Sequence, residues 1–346
     1  MNKKKMGIIL MAAMMMTGIV TSAYAEDVKT TDATVTKHLE MAEGIAVPDT
    51  TFSFTVKKIT ADAPDATIAD LSYSSSDAKG DLESGKYSIS KDEEITFVGT
   101  FPHAGLYEYE VAEVSGDMEG MTYSTETYAL RVYVVNKDDG SLEIQTITAE
   151  KDGVKQPEIL FTNTYRKNAS LEITKNTVGA MADKSKDFEF TIQFVRSGTE
   201  SADVTEYTGT IGSETVTCEI GKVQKFTLHD GESLVFDNLP AGTRYVVNEV
   251  GAEDGYTPSV EVVENGTQTV NKTAGSDADS LSTADADNDK NLVGENANKV
   301  TYTNTYGETP ITGLMFENLP YILLGGIAVL AMAVFMVLKR KQRRDI

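Results

Sequence analysis

The chain has 346 residues, with 31 basic residues against 53 acidic ones, a formal net charge of −22, three histidines and one cysteine. So acidic a chain repels nucleic acid and anionic membrane surfaces, which excludes nucleic acid as a partner. The single cysteine, Cys218, excludes an internal disulfide framework and reads as a packed residue. His38, His103 and His229 are scattered without metal-ligand spacing. No metal, cofactor or turnover enzyme is therefore expected.

The chain opens with Lys3, Lys4 and Lys5, a Met-rich apolar run, and Ala23-Tyr24-Ala25. That order predicts a signal peptide over residues 1–25, cleaved between Ala25 and Glu26. From Val28 to Phe101 strands alternate with polar loops. Thr51 to Val56 is predicted as one alternating strand and Ala61 to Lys91 as a loop-rich stretch. Strands follow at Tyr107–Val114 and Tyr128–Val135, the latter ending in the turn signal Asn136-Lys137-Asp138-Asp139-Gly140. Helical periodicity is nearly absent.

The second half then repeats the first. Lys37 answers Lys175 after V-T and I-T. Phe52-Ser53-Phe54 answers Phe188-Glu189-Phe190, and Glu113 answers Glu249 at the end of Y-x-V-x-E. Phe161-Thr162-Asn163-Thr164-Tyr165 answers Tyr302-Thr303-Asn304-Thr305-Tyr306, and all four landmarks lie at offsets of 136 to 141 residues. A duplication is implied, with domains at 26–166 and 167–306 joined by a short linker. Many short strands separated by turn chemistry predict an all-β chain of two tandem immunoglobulin-like β-sandwiches. Thr267 to Lys299, rich in Asp, Ala, Ser and Asn, reads as a mobile surface insertion. Its segment Asp285-Ala286-Asp287-Asn288-Asp289 imitates a calcium loop, but Lys290 and Asn296 stand where Gly and Glu are required.

Residues 307–346 form a third kind of sequence. Leu319 to Leu338 is apolar and, as a transmembrane helix, would cover the bilayer core of about 30 Å. The basic tail from Lys339 to Arg344 would hold it on the cytoplasmic side. The pentapeptide Thr309-Pro310-Ile311-Thr312-Gly313 precedes it. This order of pentapeptide, apolar span and basic tail resembles the cell-wall sorting signal of Gram-positive surface proteins. That resemblance implies sortase cleavage between Thr312 and Gly313 and transfer of the Thr312 acyl group to an amine. Thr309 stands where such signals usually have Leu, which leaves the class of sortase open. With leader and sorting segment removed, 23 basic and 51 acidic residues remain, a net charge of −28.

The landmark strands place polar residues on their inward faces. Lys37 is in phase with Ala33 and Val35, Glu113 with Tyr109 and Val111, and Asn163 with its flanking aromatics; Lys175, Glu249 and Asn304 repeat the pattern. A buried charge is costly unless paired or neutralised, and a proton moving from Lys to Glu leaves two neutral groups. The free amine is then a nucleophile. The protonated Glu is expected to donate to the Asn carbonyl, polarise it, and shuttle the proton as ammonia leaves. One Lys-Asn isopeptide bond per domain would result. A simple buried ion pair is the alternative for either domain alone.

The V-T-K start, Y-x-V-x-E strand and T-N-T-Y end, present twice between a leader and a sorting signal, resemble the major shaft pilins of Gram-positive bacteria with streptococcal-type isopeptide linkage (CnaB-like) domains. The resemblance implies Lys37–Asn163 and Lys175–Asn304 crosslinks, with Glu113 and Glu249 reaching across each sandwich. It implies sortase, neighbouring subunits, minor pilins and cell-wall peptidoglycan as partners, in a wall-anchored pilus whose precursor is transiently membrane-bound. It places the polymerisation lysine at Lys155, two residues before Pro157, with Lys151 and Lys137 next. A wall-anchored adhesin that is never polymerised is the alternative.

Overall fold

The computed structural model describes residues 31–284 and 290–307. The expected signal peptide with its Ala25–Glu26 junction, the pentapeptide Thr309–Gly313, the span 319–338 and the segment 285–289 lie outside the described residues. Among the described residues every regular element is a β-strand.

In domain one, Lys86–Glu94, Thr34–Ala42, Ile159–Tyr165 and Met121–Thr122 form one sheet in that order. Val154–Gln156, Leu142–Lys151, Thr127–Asn136, Gly105–Glu113 and Phe54–Lys58 form the facing sheet. Period-2 alternation turns Val35, Lys37, Leu39 and Met41 of the opening strand inward, toward Tyr107, Tyr109, Val111 and Glu113. The opening and closing strands lie side by side and parallel, with Lys37 opposite Phe161 and Leu39 opposite Asn163.

Domain two repeats this immunoglobulin-like sandwich. Asn168–Val178 lies between Ser233–Pro240 and Lys299–Tyr306 in a seven-stranded sheet. Phe188–Val195 and Arg244–Glu249 lie at the centre of the facing one. Here too the opening and closing strands are parallel, and Lys175 sits opposite Tyr302. Only Arg166 and Lys167 separate the domains' strands. Arg244 pairs with Glu43, Arg166 with Glu200, and Glu295 accepts from the Ala46 main-chain N–H and from Lys167 across the junction.

Three expectations are corrected. The predicted single strand Thr51–Val56 is broken at Ser53. Thr50–Phe52 pairs with Leu71–Tyr73, whereas Phe54–Lys58 pairs with Gly105–Glu113. The chain changes partner there while keeping both phenylalanines inward, so the alternation runs on through the break. The loop-rich stretch 61–91 contains two short strands, Asp65–Thr67 and Leu71–Tyr73, and the start of the nine-residue strand Lys86–Glu94. Its buried hydrophobic residues, Ala63, Ala66, Leu71, Tyr73 and Ile89, are too irregularly spaced to betray a period.

The third correction concerns 267–299, which is not a surface appendage. Thr267–Thr273 is a paired edge strand, and Leu281, Thr283, Asn291 and Val293 are buried. Asn298 accepts from the main-chain N–H groups of Asn265 and Gly294 and donates to the carbonyls of Ser170, Gly294 and Asn296. Composition that reads as solvated is used here to satisfy the backbone.

Candidate functional site

The six polar residues in the apolar phase are all withdrawn from water. Lys37, Asn163, Lys175, Glu249 and Asn304 are 0% exposed, and the Glu113 side chain is likewise covered. Strand register brings each set together. Parallel pairing places Asn163 diagonally two residues beyond Phe161, the partner of Lys37, and therefore on the same face. Asn304 stands in the same relation to Tyr302 and Lys175. From the facing sheet comes the carboxylate, Glu113 opposite Phe54 and Glu249 opposite Phe190.

In domain one, Lys37 Nζ lies 3.1 Å from Glu113 Oε2 and also donates to the Phe161 carbonyl at 3.2 Å. Asn163 Nδ2 donates to the other carboxylate oxygen, Oε1, at 2.5 Å. Its carbonyl oxygen accepts from the Ser124 main-chain N–H at 2.7 Å. In domain two a single oxygen, Glu249 Oε1, takes both groups, Asn304 Nδ2 at 2.7 Å and Lys175 Nζ at 3.4 Å. Glu249 Oε2, Asn304 Oδ1 and Lys175 Nζ have no hydrogen-bond partner among the described residues.

The electrostatics follow from burial. Removal from water disfavours the ammonium form and outweighs the attraction of the carboxylate, lowering Lys37 and Lys175 each to about 8. Burial also raises the Glu249 carboxyl, against the opposing pull of Lys175 and the Asn304 hydrogen bond. Both shifts favour the neutral pair, amine and carboxylic acid. An amine beside an amide carbon, with an acid bridging them and water excluded, can carry out acyl transfer.

One assigned role changes. The acid was expected to donate to the asparagine carbonyl, but both sites present the amide nitrogen to the carboxylate. In domain one the orientation is fixed, because Ser124 N–H can only donate and so must face an oxygen. Glu113 therefore faces the amide nitrogen of Asn163 and not its oxygen.

Sequence reasoning missed the aromatic walls. Phe52 lies with its ring centroid 4.5 Å from Lys37 Nζ, and Phe188 stands 4.4 Å from Lys175 Nζ. The Tyr73 hydroxyl donates to the Lys37 carbonyl at 2.6 Å. The signal was the repeated F-x-F landmark, whose first ring covers the amine while the second pairs with the Glu strand. Cys218 is buried in the domain-two core, and burial pushes its thiol up to about 11.

Lys155 is not part of either buried set. It lies on the short strand Val154–Gln156 and lines an open groove of about 480 Å³ together with Thr34, Thr36, Ile147, Pro157 and Ile159. Lys151 pairs with Glu126, a hydrogen bond that raises its pKa, and Lys137 pairs with Glu143 at 3.5 Å.

Comparison with known proteins meets this geometry. Residues 33–166 match the family described as a Spy0128-like isopeptide containing domain, and residues 169–306 match a domain of unknown function. A Streptococcus pyogenes serotype M1 protein named pilin is 31% identical over 316 residues, which cover 86% of this chain and 87% of that protein. The pilus tip adhesin Cpa of Streptococcus pyogenes is 43% identical over 84 residues, 24% of this chain and 12% of the adhesin. The crystal structure of the major pilin from Streptococcus pyogenes is 26% identical, with 81% of this chain and 99% of that chain covered at a TM-score of 0.37. The first domain, with its Lys37, Glu113 and Asn163, falls within the isopeptide-domain match, and most of both chains align with a pilin. The chain belongs to the streptococcal-type major pilin family.

Proposed function

We propose that the chain is the repeating shaft subunit of a sortase-assembled surface pilus, and that each domain locks itself with one Lys-Asn isopeptide bond. The observation that carries the crosslinks is the twofold recurrence of a buried Lys, Glu and Asn in one strand register. Lys37 and Lys175 act as nucleophiles, Asn163 and Asn304 as acyl donors, and Glu113 and Glu249 as proton shuttles. Each site reacts once, so this is self-modification without turnover. A bond from first strand to last carries tension past the intervening fold. It closes 126 residues in domain one and, by analogy with disulfides, stabilises by about 5 kcal/mol.

Polymerisation joins the Thr312 acyl group of one subunit to Lys155 of the next. What supports Lys155 is its place beside an open groove on the surface of domain one. The last subunit is passed to peptidoglycan, leaving the fibre anchored in the wall.

Two measurements test the reading. The intact mass of residues 26–312 is expected to fall short of the unmodified chain by two ammonia molecules; a full mass sinks the crosslinks. Cells carrying the wild-type chain are expected to show an SDS-resistant ladder that disappears with Lys155→Ala. A ladder that persists removes Lys155, and no ladder in wild type favours the unpolymerised adhesin.

A further inference from the structure

The two sites differ at the carbonyl oxygen of the reacting amide. In domain one that oxygen accepts from the Ser124 main-chain N–H at 2.7 Å, and Ser124 is buried. In domain two no donor reaches Asn304 Oδ1 among the described residues. The backbone explains the contrast. In domain two the strand Tyr256–Glu264 runs the whole length of the closing strand, and the residue opposite Asn304 is Pro258, which has no N–H. In domain one the equivalent strand pairs only at Met121 and Thr122, then leaves the ladder. Free of the ladder, the Ser124 N–H, two residues beyond Thr122, turns to the side chain of Asn163.

That departure is built in on both sides. Gly120, at φ 79°, passes so close to the closing strand that a Cβ would meet the Arg166 carbonyl oxygen at 2.1 Å. Past Thr122, Tyr123 packs edge-on against Phe52 at 6.1 Å, and Ser124 Oγ accepts from the Glu126 N–H.

We propose that the Ser124 main-chain N–H is the oxyanion donor for bond formation in domain one, a device that domain two lacks, so that the Lys37–Asn163 bond forms before the Lys175–Asn304 bond. This rests on the crosslinking reading above. Neutral Lys37 Nζ attacks Asn163 Cγ, forming the N–C bond as the carbonyl π pair moves onto Oδ1. The Ser124 N–H stabilises that oxyanion. Glu113 takes a proton from the attacking nitrogen and gives one to Nδ2; the π pair returns, the Cγ–Nδ2 bond breaks, and ammonia leaves. A main-chain donor held by the fold needs no reorganisation as charge develops, and loss of one such donor slows comparable reactions by roughly 10²–10³-fold.

The test removes only the N–H. Residues 26–312 are synthesised with the α-hydroxy acid analogue of serine at position 124, which turns that amide into an ester, and with the threonine analogue at exposed Thr125 as control. Quenched time points are digested, and the two crosslinked peptides are quantified separately by mass. Circular dichroism and protease resistance report folding of each variant. The expected result is a Lys37–Asn163 bond slowed roughly 100-fold in the 124 ester, with the 125 ester and the Lys175–Asn304 bond unaffected. In the unaltered chain the domain-one bond appears first. A folded 124 ester that closes at the unaltered rate overturns the proposal, as does equal slowing by the 125 ester. A 124 ester that does not fold leaves the order of closure in the unaltered chain to decide, and domain two closing first or together with domain one overturns it. Unaltered chain with no crosslink in either domain overturns the crosslinking reading itself.

Discussion

In domain one the buried set of Lys37, Glu113 and Asn163 divides the core. Val35, Tyr109 and Phe161 pack on one side of it, and Leu39, Phe52 and Tyr73 on the other. In domain two a single continuous core runs from Leu171 through Phe236 to Tyr302 and takes in Phe188, the ring beside Lys175, so the set does not part it. The register, the phenylalanine under the amine and the carboxylate from the facing sheet are the same. What differs is how many lone pairs are occupied: each Glu113 oxygen has its own donor, whereas Glu249 Oε1 accepts from Asn304 with Lys175 Nζ only at ion-pair distance, and Oε2 accepts from no described residue. Shared strand pairing therefore fixes which groups meet, and the residues flanking the closing strand decide how well each is held.

The largest test of this contrast is loss of the carboxylates. Glu113→Ala and Glu249→Ala are each expected to restore one ammonia to the mass, in their own domain only. Each should lower that domain's unfolding free energy by at least about 5 kcal/mol, since the loops enclosed are of nearly equal length. Denaturant unfolding followed by domain-specific proteolysis measures it, and unequal losses would show that the surrounding cores, not the bonds, dominate.

A smaller effect is expected from pH. At the Lys175 site the productive form carries one shared proton, as amine plus acid. Above about 8 the site loses that proton, leaving amine and carboxylate with no acid for the departing nitrogen. Below the raised Glu249 value it gains a second proton, and Lys175 is an ammonium. Refolding from denaturant at a series of pH values should give a bell-shaped rate for this bond, with its alkaline limb near 8. A rate that keeps climbing above that pH would show that the acid is not needed.

The smallest effect is expected from the aromatic walls. Phe52→Leu and Phe188→Leu keep an apolar cover over the amine and should each cost under about 2 kcal/mol while still yielding both bonds. A missing bond in either variant, read from the intact mass, would show that the ring itself orients the lysine.

Much of this was legible in the sequence because it repeats. One inward lysine is indistinguishable from a slip in register, but Lys, Glu and Asn at matched offsets in two copies identified both buried sets. The sandwich was legible for the same reason, through alternation at Thr34–Ala42 and Gly105–Glu113. Ser124 was not, since a main-chain N–H leaves no mark on residue type and its direction depends on where a neighbouring strand stops pairing. Nor was the role of Asn298, because side chains that satisfy a loop from within have the same composition as a loop that is solvated.

The parallel pairing of first and last strands has one more consequence. A chain that enters and leaves along parallel neighbours does so at opposite poles of the domain, so each sandwich has an inlet and an outlet. Two residues, Arg166 and Lys167, then suffice to pass from one domain to the next. An antiparallel closing strand would bring both ends to one pole and turn the chain back on itself. The direction in which one domain follows the other is thus already decided inside each domain, by the sense in which one strand lies beside another.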